Sequence, residues 1–248
     1  MRISIITVCY NSEATIRKTL ESVAGQDFPD IEHIVIDGKS RDNTVSIARD
    51  FAHVARIISE KDGGLYHAMN KGIELASGDI IGFLHSDDFY TGPGVLSFVA
   101  AAFNSRKTSC VYGDLQYVDR YDTGKVIRTW KAGNFTHRDF LYGWMPPHPA
   151  FFVKREVYQQ VGLFNTSLKS SSDYEMMLRI LYKNRLSAHY LSQTLVKMRA
   201  GGVSNNSIRS RFRANREDAK AWKLIDKKPH FLTIYLKPLR KIPQYLNK

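Results

Sequence analysis

Four short apolar runs open this chain, each followed by a stretch with helical spacing, and no other feature of the sequence restricts the fold as much. Residues 3–8 read as a continuous apolar strand, after which Asn11 and Ser12 are candidate N-caps. The helix they introduce sets Ile16, Leu20 and Val23 on one face. Residues 31–36 read as a second strand, and Asp42 as the cap of a helix carrying Val45, Ala48 and Phe51. Residues 56–59 and 79–84 read as the third and fourth strands. The helix after the third starts near Tyr66 with Met69, Ile73 and Ala76 inward, and the one after the fourth spans residues 93–103. Strand–helix–strand alternation predicts a mostly parallel, twisted sheet flanked by helices, because a parallel neighbour is reached only through a crossover.

Beyond Cys110 the pattern changes. Residues 111–118 and 125–130 flank Asp122-Thr123-Gly124, a hairpin signal. The irregular stretch Trp144-Met145-Pro146-Pro147-His148 leads to a strand-like run at residues 150–153, and residues 172–184 carry Met177, Ile180 and Leu181 at helical spacing. The reading divides the chain into a half at residues 1–105, a second half of the same domain at 106–204, and a basic helix with an amphipathic tail at 205–248.

A parallel sheet binds ligands outside the carboxyl ends of its strands. The four tips are then neighbours: Thr7 to Asn11, Asp37 to Ser40, Glu60 to Gly64, and His85 to Asp88. A single Asp at a strand end is ordinarily a turn former. Three acidic tips on one rim repel one another unless a cation compensates, and a hard divalent ion that also holds a diphosphate is the economical answer. No Walker loop or GxGxxG turn is present, which disfavours an ordinary ATPase or dinucleotide enzyme.

The runs Ile3-Ser4-Ile5-Ile6-Thr7-Val8-Cys9-Tyr10-Asn11, Asp37-Gly38-Lys39-Ser40-Arg41-Asp42-Asn43-Thr44, Asp62-Gly63-Gly64-Leu65-Tyr66-His67-Ala68-Met69-Asn70-Lys71-Gly72 and Phe83-Leu84-His85-Ser86-Asp87-Asp88 resemble the successive motifs of family 2 glycosyltransferases. The resemblance is specific over residues 1–92 and looser to about Ser204. It implies a GT-A-like α/β fold, an inverting reaction on a nucleoside-diphosphate sugar, and Mn²⁺ or Mg²⁺ as cofactor. It implies nucleoside contacts from Tyr10, Asn11 and Asp37, a substrate contact from Thr7, and a ribose-diphosphate region lined by Asp62, Asn70 and Lys71. Asp87 is then the metal-binding acid of the family's D-x-D motif, with Asp88 a ligand or its support. His85 stands where that motif has its first acid, and His67 where an acid is frequent, so neither is read as a ligand.

Ser172-Asp173-Tyr174-Glu175 reads as a capping box, Ser172 at N-cap and Glu175 at N3, which puts Asp173 in a first helical turn where a carboxylate stays ionised. Spacing alone makes Asp173 a helix-starting residue; the resemblance makes it the catalytic base. Asp114 reads as a bulge or turn residue, and the resemblance implies an acid facing donor or acceptor. His148 reads as a packed loop histidine, and the resemblance implies a position near the sugar. Arg199, opening Arg199-Ala200-Gly201-Gly202-Val203-Ser204, resembles the start of a mobile loop and implies a diphosphate contact.

Charge separates the remaining readings. The chain carries +12, but residues 197–248 hold 14 basic and 3 acidic side chains, so the body is nearly neutral. That argues against a non-catalytic nucleic-acid-binding protein, whose basic residues would surround a cleft. A nucleotidyltransferase acting on sugar phosphates is the other enzyme reading, and the chain lacks a Gly/Arg-rich triphosphate loop. Aromatic and aliphatic residues interleave with Lys and Arg from residue 231 onward, which suits an anionic membrane surface or a segment docked on the body. The membrane alternative points to a saccharide or lipid-linked saccharide acceptor. Two isolated cysteines, Cys9 and Cys110, and the absence of a secretory or membrane-spanning run suggest a cytoplasmic chain, peripheral on the inner face of the membrane.

Overall fold

Runs rich in Ile, Val and Phe become strands because branched and aromatic side chains pack well on a pleated surface. In the computed structural model, which describes residues 1–201, 208–240 and 243–245, these runs alternate with helices along the first hundred residues. The order is β1 (Ile3–Cys9), α1 (Ile16–Ala24), β2 (Ile31–Asp37), α2 (Thr44–Arg49), β3 (Val54–Ser59), α3 (Leu65–Leu75), β4 (Ile80–Phe83), β5 (Asp88–Tyr90) and α4 (Val95–Ser105). Then come β6 (Cys110–Val118), β7 (Val126–Trp130), β8 (Phe151–Lys154), α5 (Arg155–Val161), α6 (Ser172–Met177), β9 (Ala188–Arg199), α7 (Ile208–Leu224) and α8 (Thr233–Leu239).

The strands form one mixed sheet in the order β3-β2-β1-β4-β8-β6-β9-β5, with β7 also on β6. β1 runs parallel to β2 and to β4, and β2 parallel to β3, so their carboxyl ends share one rim. The parallel order ends there: β8 joins β4 antiparallel, β6 continues antiparallel, and β9 returns parallel to β6. The hairpin at residues 111–130 is the β6–β7 pair.

β1 shows how both faces are buried. Ile6 and Val8 join the core under α3, α5, α6 and α7, while Ile3 and Ile5 face α4, and Cys9 packs with α1 and α2. Close packing is visible at Gly82 on β4, where an added Cβ would come within 2.6 Å of the Phe152 ring. Cys9 and Cys110 are both free and buried.

Helix starts differ from the spacing in three places. α1 begins only at Ile16, because the Ser12 carbonyl accepts the Thr15 and Ile16 N–H groups in a preceding turn. The cap of α2 is Asn43, while the Asp42 carboxylate takes the Thr44 N–H at 3.0 Å. The capping box at α6 does not form. Ser171 is the N-cap residue, Ser172 is buried inside the first turn, and α6 passes into a π-turn at Leu178–Lys183. Glu175 pairs with Arg179 instead (Nε–Oε1 2.7 Å), and that guanidinium also donates to the Val161 and Leu163 carbonyls. A buried ion pair reinforced by three hydrogen bonds from the guanidinium outcompetes a local cap.

Candidate active site

The rim begins with β1 and β2. Tyr10 is 59% exposed and its side chain lies over Gly38, where a Cβ would stand 3.4 Å from it. Asn11 and Lys39 have φ of +48° and +67°, a left-handed turn conformation that short polar residues tolerate best. Asn11 stabilises the facing loop: its Oδ1 accepts the Arg41 N–H at 2.9 Å, and its own N–H donates to Ser40 Oγ at 2.8 Å. Asp37 is fully buried and already satisfied, accepting from Ser40 N–H at 2.9 Å, from Ser59 Oγ at 2.6 Å and from Ser40 Oγ. In this geometry it shapes the loop on which Tyr10 rests. Thr7 lies beneath the rim, fully buried, with Oγ1 2.9 Å from His33 Nε2.

After β3, Lys71 on α3 reaches both Asp62 and Glu60 at 2.6 Å. Burial works against its charge, but the two carboxylates outweigh it and raise the lysine pKa. The other Asp62 oxygen is buried without a partner. Asn70 does not face this rim: its amide donates to the Phe164 carbonyl and accepts the Phe164 N–H, each at 2.9 Å.

The loop after β4 brings the acids together. Asp87 is half-buried, while Asp88, the first residue of β5, is fully buried with both carboxylate oxygens unpartnered. Burial first, and the Asp87 charge second, push the Asp88 carboxyl well above the ordinary range, while Arg199 pulls it down. Arg199 ends β9, donates to the Arg120 carbonyl at 3.0 Å and sits 5.6 Å from the Phe89 ring centre. Residues 202–204 of the proposed mobile loop lie outside the described residues.

Asp173 arrives from the second half of the chain. Tyr66 on α3 donates its hydroxyl to Asp173 Oδ1 at 3.2 Å. Burial, then the Asp173 charge, push the phenol's pKa upward. Burial lowers the pKa of His85, and the charges of Asp87 and Asp173 both oppose that. The His85 ring stacks on His148 (centroids 6.0 Å apart), which stacks in turn on Phe83 at 5.4 Å. Burial, with His85 beside it, pushes His148 down to about 3, so this histidine is neutral. Asp114 lies in β6, buried, taking the Ala132 N–H and the Tyr190 hydroxyl, both at 2.8 Å; burial raises its pKa.

The donor set suits a hard divalent ion. Among the described residues no three His, Cys, Asp or Glu side chains form a ready-made cage. Mg²⁺-type sites, however, commonly take one or two carboxylates and complete their shell with substrate phosphates and water. Asp87 and the unpartnered oxygens of Asp88 provide such carboxylates. The residue that spacing did not single out is Tyr66, since an aromatic at a helix start reads as core; its place inside the Asp62–Gly72 motif was the available signal.

The sequence model described as Glycosyl transferase family 2 matches residues 4–162. A PGL/p-HBAD biosynthesis glycosyltransferase of Mycobacterium bovis is 30% identical over 84% of this chain and 81% of that protein. An uncharacterized glycosyltransferase of Mycobacterium tuberculosis is 32% identical over 71% of this chain and 68% of its own. Among solved structures, S. aureus TarS in complex with UDP-GlcNAc superposes with TM-score 0.70 at 20% identity, covering 91% of this chain and 65% of that one. The chain thus spans just under two thirds of that TarS chain. A mannosyltransferase from Pyrobaculum calidifontis, in complex with GDP-Man and Mn²⁺, has TM-score 0.68 at 19% identity, covering 99% and 73%. These two likenesses establish a GT-A glycosyltransferase fold.

Proposed function

The chain belongs to glycosyl transferase family 2, and on that premise we propose that it is an inverting enzyme that moves a sugar from a nucleoside-diphosphate sugar to an acceptor hydroxyl. One observation carries the mechanism: Asp173, from the second half, accepts the hydroxyl of Tyr66 in the Asp62–Gly72 motif of the first half at 3.2 Å, and its charge, like that of Asp87, acts to raise the pKa of His85. Asp173 takes the proton of the acceptor hydroxyl as that oxygen bonds to the anomeric carbon. The bond from that carbon to the diphosphate breaks on the opposite side, and its electron pair leaves with the nucleoside diphosphate. Asp87, backed by Asp88, is the holder of Mn²⁺ or Mg²⁺, whose chemistry when bound is to stabilise charge on the leaving diphosphate.

Residues 1–105 then form the donor half and 106–204 the acceptor and catalytic half. The exposed Tyr10 ring offers the nucleobase a flat face, and Arg199 and Lys71 supply positive charge toward the diphosphate. In this reading the transferred sugar, a hexose or N-acetylhexosamine, is bordered by His85 and His148, whose rings stack. Asp114 supports the acceptor side through Tyr190.

The acceptor we propose is a lipid-linked saccharide in surface polysaccharide or glycolipid synthesis. A relative named for PGL/p-HBAD biosynthesis supports this, as does an exposed apolar and basic surface at α8. No helix among the described residues is long and apolar enough to cross a membrane. The contact we propose with the inner face of the cell membrane is peripheral, made through the exposed residues of α8.

The test is a panel of UDP-N-acetylglucosamine, UDP-glucose and GDP-mannose with Mn²⁺ or Mg²⁺, read as nucleoside diphosphate release. Asp87→Ala is expected to lose metal-dependent donor binding. Asp173→Asn is expected to keep donor binding and to lose transfer by about 10²–10⁴-fold. Full transfer activity in Asp173→Asn would overturn the assignment of the base.

A further inference from the structure

The base does not stand alone at the start of its helix. Tyr66 and Asn70 are four residues apart on α3 and therefore lie on one face. The Asn70 amide grips both backbone groups of Phe164. The Phe164 ring stacks on Tyr66 with centroids 5.8 Å apart and planes 25° from parallel. Both rings are buried, so the tyrosine has one place to put its hydroxyl. That hydroxyl donates to Asp173 Oδ1 at 3.2 Å. No side chain of its own caps α6.

We propose that Tyr66 is a positioning residue for Asp173, its hydroxyl fixing the carboxylate so that Oδ1 is engaged and Oδ2 is directed at the acceptor proton, with Asn70 and Phe164 as its support. The inference rests on the reading of Asp173 as the base. An aspartate at the surface of a first helical turn rotates freely about its side-chain bonds. A carboxylate already aligned needs no reorganisation when the acceptor oxygen attacks, and misplacement on the order of 1 Å is worth up to about 10²-fold in rate.

The test uses whichever of UDP-N-acetylglucosamine, UDP-glucose or GDP-mannose releases its diphosphate in the presence of acceptor. Tyr66→Phe keeps the stacked ring and removes only the hydroxyl. It is expected to lower kcat about 10-fold or more with donor KM within about 2-fold of the parent. In an Asp173→Asn background the same change is expected to have no further effect on kcat, because the group it acts through is gone. A Tyr66→Phe enzyme with parental kcat, beside an Asp173→Asn enzyme without transfer, would overturn the positioning role and leave the base in place. A proportionate rise in donor KM, or an additive loss in the double variant, would overturn it too. Should Tyr66→Phe not fold, Asn70→Ala carries the test: a kcat loss confined to backgrounds with Asp173 supports the role, and parental kcat refutes it.

Discussion

Trp222 on α7 connects the basic C-terminal helix to α6, the helix that carries Asp173. It is fully buried together with Ala221 and Ile225, its Nε1–H donates to the Tyr174 hydroxyl on α6 at 3.0 Å, and its ring meets Tyr182 edge-on at 4.8 Å. One turn earlier, Glu217 accepts the Lys169 and Ser170 N–H groups just ahead of α6. Truncating a buried Trp to Ala typically costs about 3–5 kcal/mol, and losing the hydrogen bond to a buried hydroxyl adds about 1 kcal/mol. Trp222→Ala is therefore expected to lose about 4–6 kcal/mol, a large share of the roughly 5–15 kcal/mol that holds a domain folded. That corresponds to a fall in Tm on the order of 10–20 °C for a chain of this size. Trp222→Phe retains an aromatic ring and should lose only about 1–2 kcal/mol. Urea unfolding followed by far-ultraviolet circular dichroism measures both. Because α6 carries Asp173, Trp222→Ala should also lose transfer at temperatures where it remains folded and binds donor. A Trp222→Ala protein within about 1 kcal/mol of the parent would refute the packing of α7 on α6.

Two further outcomes follow from buried or exposed groups elsewhere. His33 sits between Thr7 and His53 (Nδ1 to Nε2 3.0 Å), and burial, with His53 adding to it, pushes its pKa from 6.5 down to about 3. The unfolded chain takes a proton there that the folded chain refuses, so stability falls as pH drops below about 6.5 and levels off near 3, by up to about 1.4 kcal/mol per unit. His33→Gln should lose that share of the slope; identical urea midpoints against pH between 6 and 4 in both proteins would disprove it. At α8, held to α7 by the Lys237–Asp218 pair at 2.7 Å, Phe231, Tyr235 and Leu239 are exposed beside Lys227, Lys228 and Arg240. Vesicles containing phosphatidylglycerol are expected to sediment the protein and phosphatidylcholine vesicles are not, with binding lost at high salt and in the Tyr235→Ser, Leu239→Ser double variant. Equal sedimentation with both vesicles would remove the membrane from the proposal.

The rim was legible because its signals are local. A β-branched run, its period, and the polar residues that end it lie within a few positions of each other, so β1 to β4 and the tips carrying Asp37, Asp62 and Asp87 could be read in order. The second half was read less completely. Asp173 was recognisable as a first-turn acid, yet its capping box was displaced because Glu175 found a stronger partner in Arg179. Asp37 and Thr7, read as ligand contacts, have their hydrogen bonds taken by Ser40, Ser59 and His33. A motif records which residue stands at a strand tip, and packing decides whether its side chain faces outward.

The sequence by itself determined the alternating α/β order, the acidic rim and the neutral body with its basic end, since these depend on residue type and short spacing alone. Only the tertiary structure decided that Tyr66 meets Asp173, that Asn70 turns away from the rim to hold Phe164, and that α7 buries Trp222 against α6. Those partners lie far apart along the chain. Burial of apolar surface brings them together, and it selects shapes that fit without regard to sequence distance.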